Sequence, residues 1–434
     1  MGLPAELADR FTRPVAQFLN IQAASGLLLL FAALVSLGLA NSPWSAPFLR
    51  FWETPLGLSF GPLDLSRSLR HWINDALMTL FFFVVALELK RELALGELRD
   101  LRKAALSLAG ALGGMIVPVG LYLVLMSGQA GSHGWGTVMA TDTAFVIGCL
   151  ALFGSRIPAS LRLFLLSLAI FDDVGAILVV AFVYGETFNW APLALAILGL
   201  AGVAGSARLG IRSVAAYVLL GAGIWLCVDA SGIHPTIAGV ILGLMTPTRV
   251  WVSDKRLRAI LGRVLSHPRG EHWSGDTAER HDLRMAGAAV TEALSPVERL
   301  EMALHPWAAF AIMPIFALAN AGVGFSGAVI TQPVTIATIA GLALGKPLGV
   351  IAASWLAVRF GLASRGAGLS WPFLMAGALL TGIGFTMSLF IAGLAYPAAT
   401  LDAAKIGILA GSFCSAAAGL LMLVWLTARR TAQV

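Results

Sequence analysis

The sequence predicts an all-α polytopic membrane protein of about twelve transmembrane helices, two of them broken at mid-span, with a short β-hairpin after the first. Three observations carry that expectation. Of 434 residues, 58% are hydrophobic and 12% charged, where a soluble chain carries about 25% charged residues; mean hydropathy is +0.85. Apolar stretches long enough to cross a ~30 Å hydrocarbon core recur along the whole chain. Several of them hold acids, a lysine or Thr/Gly-rich interruptions at mid-depth, where each charge costs about 2.5–3.5 kcal/mol or more.

In chain order, the first span covers roughly 21–40. The segment 41–68 follows, polar and rich in Pro and Gly, and its "GLSFGPLDLS" alternates around Gly61-Pro62 as a hairpin over 54–66 would. The second span, 69–89, holds Asn74 and Asp75 near its start and ends in "LELKRELALGELRDLRK". Spans three and four cover 104–126 and 134–153, with Asp142 inside the latter. The fifth, 162–184, reads RLFLLSLAIFDDVGAILVVAFVY and centres on Asp172 and Asp173. Spans six to eight lie near 191–207, 213–228 and 232–245. A polar stretch, 249–295, interrupts the pattern: "DKRLRAILGRVL" suits a short surface helix and "HPRGEHWSGDTAERHD" a mobile segment. The last four spans centre near Phe310, Lys346, Thr381 and Leu420. The whole, 1–434, reads as a single membrane domain.

The bases orient the chain. With both ends on one side, that side collects the termini, the basic loops and the 249–295 stretch. The other side holds only Arg50, Arg67, Arg70 and Lys405. By the positive-inside rule both termini are cytoplasmic. The net charge of +6 does not point to nucleic acid, because the bases are strewn between apolar spans rather than gathered on one face. Cys149, Cys227 and Cys414 stand alone in apolar stretches and read as small buried hydrophobes, without disulfide or metal spacing. Glu6, Asp9, Arg10 and Arg13 precede the first apolar run, and no small-residue cleavage site follows it. His267, His272 and His281 lack metal-ligand spacing.

Lys346 is the only base deep inside a span, and a base at that depth keeps its charge beside a carboxylate. Neighbouring helical residues point about 100° apart, so Asp172 and Asp173 cannot face the same partner. Residue spacing leaves open which of them meets Lys346 and which faces the space shared with Asp142. "MATDTAF" and "LLTGIGFTMS" share Thr-x-x-x-Phe, Thr141 with Phe145 and Thr381 with Phe385, at positions where a span can unwind. Matched interruptions in two halves point to an inverted-repeat transporter whose half-helix ends meet at a binding site.

The motifs "ATDTAF", "LAIFDDVGAI", "SGIHPTIAGVI", "LHPWAAF…FALANAG", "GKPLG" and "GIGFTMSLFIAGLA", in this order, resemble the NhaA family of sodium/proton antiporters over nearly the whole chain. The resemblance implies a bacterial inner-membrane protein, not an enzyme, that exports sodium or lithium for protons electrogenically and so regulates cytoplasmic pH and sodium. It needs no cofactor beyond the transported ions. It assigns Asp173 as main ion ligand and proton carrier, Asp172 as partner of Lys346 and second ion ligand, Asp142 as balance for helix-end charge, and Thr141 as an oxygen near the ion. Glu88, Arg91, Glu92, Glu301 and His305 match a cytoplasmic cluster tied to pH activation, and His234 a histidine linked to the same response. Asp75 matches an acid on the periplasmic side. Met302 replaces a histidine of the family pattern, and 249–295 is longer than that pattern. Besides lipid, the implied partner is a second copy, joined through the 54–66 hairpin. The rival class is a sodium-coupled symporter with the same repeats. An intramembrane aspartyl protease lacks its Gly-x-Gly-Asp motif, no Walker sequence supports ATP-driven transport, and a channel has no need of an acid pair matched to one base.

Overall fold

The computed structural model describes residues 22–57, 59–60, 63–64, 66–96, 101–185, 189–210, 214–265, 277–325, 327–366 and 368–431. The N-terminal charges, the Gly61-Pro62 turn, His267 and His272 lie outside the described residues.

Apolar sequence without strong sidedness makes helices that must be covered by protein or lipid all round. They are α1 (Gln22–Ala40), α2 (Ser45–Trp52), α3 (Leu69–Ala94), α4 (Leu101–Leu125), α5 (Thr143–Ala151), α6 (Ala159–Val183), α7 (Trp190–Arg208), α8 (Val214–Ala230) and α9 (Thr236–Met245). After the polar α10 (Asp254–Leu265) and α11 (Thr277–Glu292) come α12 (Pro296–Asn320), α13 (Pro333–Arg359), α14 (Trp371–Thr381), α15 (Phe385–Ala395) and α16 (Ala398–Thr431). Among the described residues eight helical segments are long and apolar enough to cross a membrane, and nine when the bent pair α14–α15 counts as one. Shorter apolar helices at Ala24–Ala40, Ala215–Ala230 and Thr236–Met245 supply the remaining spans of the sequence reading. Large apolar side chains such as Phe31, Val124 and Phe182 stand exposed on the outside, as lipid-facing residues do.

Between α2 and α3 the chain forms the expected hairpin as two short antiparallel ladders. Ser59–Phe60 pairs with Leu63–Asp64, and Pro55–Leu56 pairs with Arg67–Ser68, so the pairing runs past Ser66 to the foot of α3. Ser68 then caps α3, accepting from the His71 amide at 3.2 Å. Ser295 and Glu298 form a capping box that opens α12.

Several details depart from the sequence reading. The eighth span is only the ten residues of α9. Gly232 adopts φ +81° and Pro235 stands at the cap, so no helix extends back through 232–235. Residues 277–282, expected to be mobile, are helical, because α11 seats Ala286 and Ala289 in buried positions. The "DKRLRAILGRVL" helix is α10, as expected. Lys405, near the start of α16, is covered by protein as well, which the sequence reading did not anticipate. Cys149 is buried, but Cys414 is exposed on the outer face of α16.

The main core gathers around Leu168, Phe316, Leu342 and Phe390, while α7, α8 and α9 share a smaller one around Ala196, Ile224 and Val228. Within the main core α4 and α13 touch backbone to backbone. A Cβ on Gly113 would lie 2.2 Å from the Gly349 carbonyl, and one on Gly349 2.0 Å from that of Gly113. That close approach, allowed by small residues, and a π-helical turn at Gly341–Gly345 deliver Lys346 to the middle of the protein.

Candidate functional site

Two spans break where the sequence is rich in Thr and Gly. A 3-10 segment, Ser132–Val138, ends before 139–142, and α5 starts after the break. The second break, 382–384, separates α14 from α15, which bend by 40°. The breaks cross and bond to one another: the Asp142 amide donates to the Ile383 carbonyl at 2.7 Å. Room for this comes from glycine, since a Cβ on Gly382 would lie 2.2 Å from the Leu342 carbonyl.

Breaking a helix in low dielectric leaves orphan amides at one end and orphan carbonyls at the other. Asp142 serves both orphaned N-termini. Its Oδ1 accepts from the Phe145 amide of α5 at 3.1 Å, and its Oδ2 from the Thr386 amide of α15 at 3.1 Å and the Thr386 hydroxyl at 2.5 Å. Ser412 Oγ accepts from the Gly384 and Phe385 amides, each at 3.2 Å. At the opposite, carbonyl ends, Lys346 Nζ donates to the Met139 carbonyl, and the Thr381 carbonyl lies 3.0 Å from the Thr141 hydroxyl, whose single proton it shares with Asp172. Negative charge thus meets the N-termini and positive charge a C-terminus, the favourable sense for both dipoles. The two Thr-x-x-x-Phe motifs span the two breaks, with Thr141 inside the first and Thr381 at the edge of the second, and each Phe in the first turn of a half-helix. The two phenyl rings meet edge to face at 6.3 Å.

Beside the crossing, α6 presents its acids in different directions, as adjacency requires. Asp172 and Lys346 form a fully buried ion pair, Nζ to Oδ2 2.9 Å, and the Thr141 hydroxyl also donates to Asp172 Oδ2 at 2.6 Å. Asp173, also buried, turns to Thr143, whose hydroxyl is 3.5 Å from its Oδ2. Oδ1 of Asp172 and Oδ1 of Asp173 are buried without a hydrogen-bond partner. Unsatisfied carboxylate oxygens are costly in a dry interior, and a hard cation that prefers oxygen ligands would relieve that cost. Among the described residues no three His, Cys, Asp or Glu side chains converge on one point as a multi-ligand metal cage needs. A cavity of about 60 Å³ borders this place, and Thr141, Thr143, Thr381, Ala151 and Arg162 are among the residues that line it.

The residues tied to pH in the sequence reading divide into two places. Arg91 bridges Glu92 and Glu301, at 2.8 Å each, and so joins α3 to α12. Glu88 and His305 lie within electrostatic reach of the same group, and the charge of Glu88 also reaches Asp173. Met302 is 66% exposed and turns away from Glu301. His234 stands apart from that cluster. Its ring is 3.0 Å from the Thr236 hydroxyl at the start of α9, packs edge to face on Phe390, and senses Asp75 and His71. Asp75 pairs with His71 at 2.7 Å, next to Arg67, which grips Asp229 at 2.5 Å.

Sequence reasoning missed Thr143, Thr386, Ser412, Arg67, His71 and Asp229. The i, i+4 spacing of Arg67, His71 and Asp75 could have flagged the first part of that quartet. Asp229, from α8, carries no such signal.

Interrupted helices crossing at mid-membrane, with buried acids matched to a buried base, define an ion-coupled secondary transporter. Residues 16–423 match the family model described as Na+/H+ antiporter 1, and the chain belongs to that family. It is 60% identical to the Na(+)/H(+) antiporter NhaA of Rhizobium meliloti (strain 1021), covering 98% of this chain and 97% of that one. It is 60% identical to Na(+)/H(+) antiporter NhaA 2 of Acidiphilium cryptum (strain JF-5), over 97% and 94% of the two chains. With NhaA 2 of Vibrio vulnificus (strain CMCP6) the identity is 51%, over 98% and 96%.

Proposed function

We propose that this chain exchanges Na+ for H+ across the bacterial inner membrane at one site beside the helix crossing. The observation that carries this reading is the pair of partnerless buried oxygens on Asp172 and Asp173, next to a lysine held at the crossing. Asp173 is the carrier: its carboxylate holds a proton or shares its charge with a sodium ion, and the two compete. Asp172, anchored by Lys346 and Thr141, supplies the second carboxylate, and Thr141 a hydroxyl oxygen. Asp142 and Lys346 balance the charge of the broken helix ends, so the ion arrives at a site whose fields are already compensated. If only loaded forms change their facing, each sodium leaving one side obliges protons to enter from the other. Two acids at one site allow two protons per sodium, which moves net charge and makes the exchange electrogenic. Membership of an antiporter family argues against the symporter reading.

The basic loops place both termini and 249–295 in the cytoplasm. On that side the Glu88, Arg91, Glu92, Glu301 and His305 group, spanning α3 and α12, adjusts activity to pH. The satisfied contacts of His234 give it a structural part at the start of α9. In everted vesicles with a fluorescent ΔpH reporter, added Na+ or Li+ should release protons from the wild-type interior, and Asp173→Asn should abolish the response. Wild-type rates in Asp173→Asn overturn the reading; a pH change of opposite sign in the wild type replaces antiport by symport.

A further inference from the structure

Thr143 is the first residue of α5, immediately after the carboxylate that caps both half-helices. Its hydroxyl has one hydrogen-bond partner among the described residues, Asp173 Oδ2, and that contact is long at 3.5 Å. The other oxygen of Asp173 has no partner. Thr143 also lines the cavity with Thr141 and Thr381, so a small ion held there has this hydroxyl within reach, and the hydroxyl in turn faces Asp173.

The spacing is poor for a hydrogen bond and good for a bridge. Hard cations of calcium's size hold oxygens at about 2.3–2.6 Å, and sodium is close to that size. At such distances two oxygens 3.5 Å apart subtend roughly 90° at the ion, the angle between adjacent ligands of an octahedron. A threonine hydroxyl has one donor and two lone pairs. It can therefore donate to the bare carboxylate, accept from the protonated one, and turn a lone pair to sodium in the loaded state.

We propose that Thr143 is a direct oxygen ligand of the transported cation, bridging it to Asp173, and that it biases the site toward sodium over lithium. The inference rests on the Asp173 site of the preceding section. Lithium is smaller and is satisfied by fewer oxygens, so it depends less on one added ligand.

The test is Thr143→Val, which keeps the shape and removes the oxygen, with Thr143→Ser as the conservative return. In proteoliposomes, Thr143→Val should raise the KM for Na+ about tenfold, the weight of one interaction with a charged group. The KM for Li+ should rise less, and the saturated rate should stay near wild type. Thr143→Ser should restore the sodium KM. The sodium-dependent rise in melting temperature of the purified protein gives a second readout, independent of turnover, and should weaken in Thr143→Val. An unchanged sodium KM, or equal rises for both ions that Ser does not reverse, overturns the assignment. If Asp173→Asn is inactive while Thr143→Val is normal, only this assignment fails; if Asp173→Asn exchanges sodium, the site itself is misplaced.

Discussion

Lys346→Ala isolates the energetics of the buried pair. In the native protein Nζ lies 2.9 Å from Asp172 Oδ2, both side chains have no solvent exposure, and Nζ also donates to the Met139 carbonyl. Alanine removes all of that at once. The Asp172 carboxylate keeps only the Thr141 hydroxyl, and the carbonyl end of the Ser132–Val138 segment loses its donor. Breaking one side of a buried pair costs about 3–5 kcal/mol. With an unfolding entropy of about 2.1 cal/mol/K per residue, the 434 residues make that a fall in melting temperature of about 3–5 °C. A smaller unfolding entropy in detergent would enlarge the shift. Thermal unfolding of the purified protein in detergent is the assay. The double variant Lys346→Ala, Asp172→Ala should regain part of the loss, because no stranded charge remains. A melting temperature unmoved by Lys346→Ala, or a double variant whose loss equals the sum of the two singles, refutes the idea that these groups depend on each other.

Two other expectations concern regulation and assembly. Exchange should rise with pH in the wild type, and Glu301→Gln with His305→Ala should shift or flatten that profile, because Arg91 of α3 loses its partner on α12; identical profiles would remove both residues from regulation. Deleting residues 55–65 should give monomers that still exchange sodium for protons. The exposed edges of a two-stranded ladder invite pairing with a second copy, while Asp142, Asp172, Asp173 and Lys346 all belong to one chain; light scattering that still finds dimers would place the contact elsewhere.

What could be read from the sequence was mainly what lies within one span. Bilayer-length apolar runs marked most helices, and the cost of mid-depth charge singled out Asp142, Asp172, Asp173 and Lys346. Adjacency alone required that Asp172 and Asp173 diverge, and they do. Pairing between spans was harder. Spacing left the partner of Lys346 open, and nothing local tied Arg67 to Asp229, 162 residues away. Thr143 was hidden because it sits in the same motif as Thr141 and its neighbour lies on another helix. The shortening of α9 was legible in retrospect through Gly232 and Pro235. Burial of Lys405 and exposure of Cys414 depend on which side of α16 meets protein, and an apolar helix does not encode that in its periodicity.

A single carboxylate, Asp142, terminates two separate chains of peptide dipoles. Drawing either half-helix start away from Asp142 would cost the Phe145 or the Thr386 amide its carboxylate acceptor in a region without water. Those shared bonds favour a crossing that moves as one piece, with any change of facing placed at a contact that holds fewer polar bonds. The contact of α3 and α9 with α6 is a suitable seam. Leu89, Leu244, Ile170, Phe171 and Val174 meet there through greasy, undirected surfaces that can slide without breaking a polar bond. Sliding along that seam would carry Glu88 past Asp173, so the helix that bears Glu88, Arg91 and Glu92 would change the field at the buried acid as it moved.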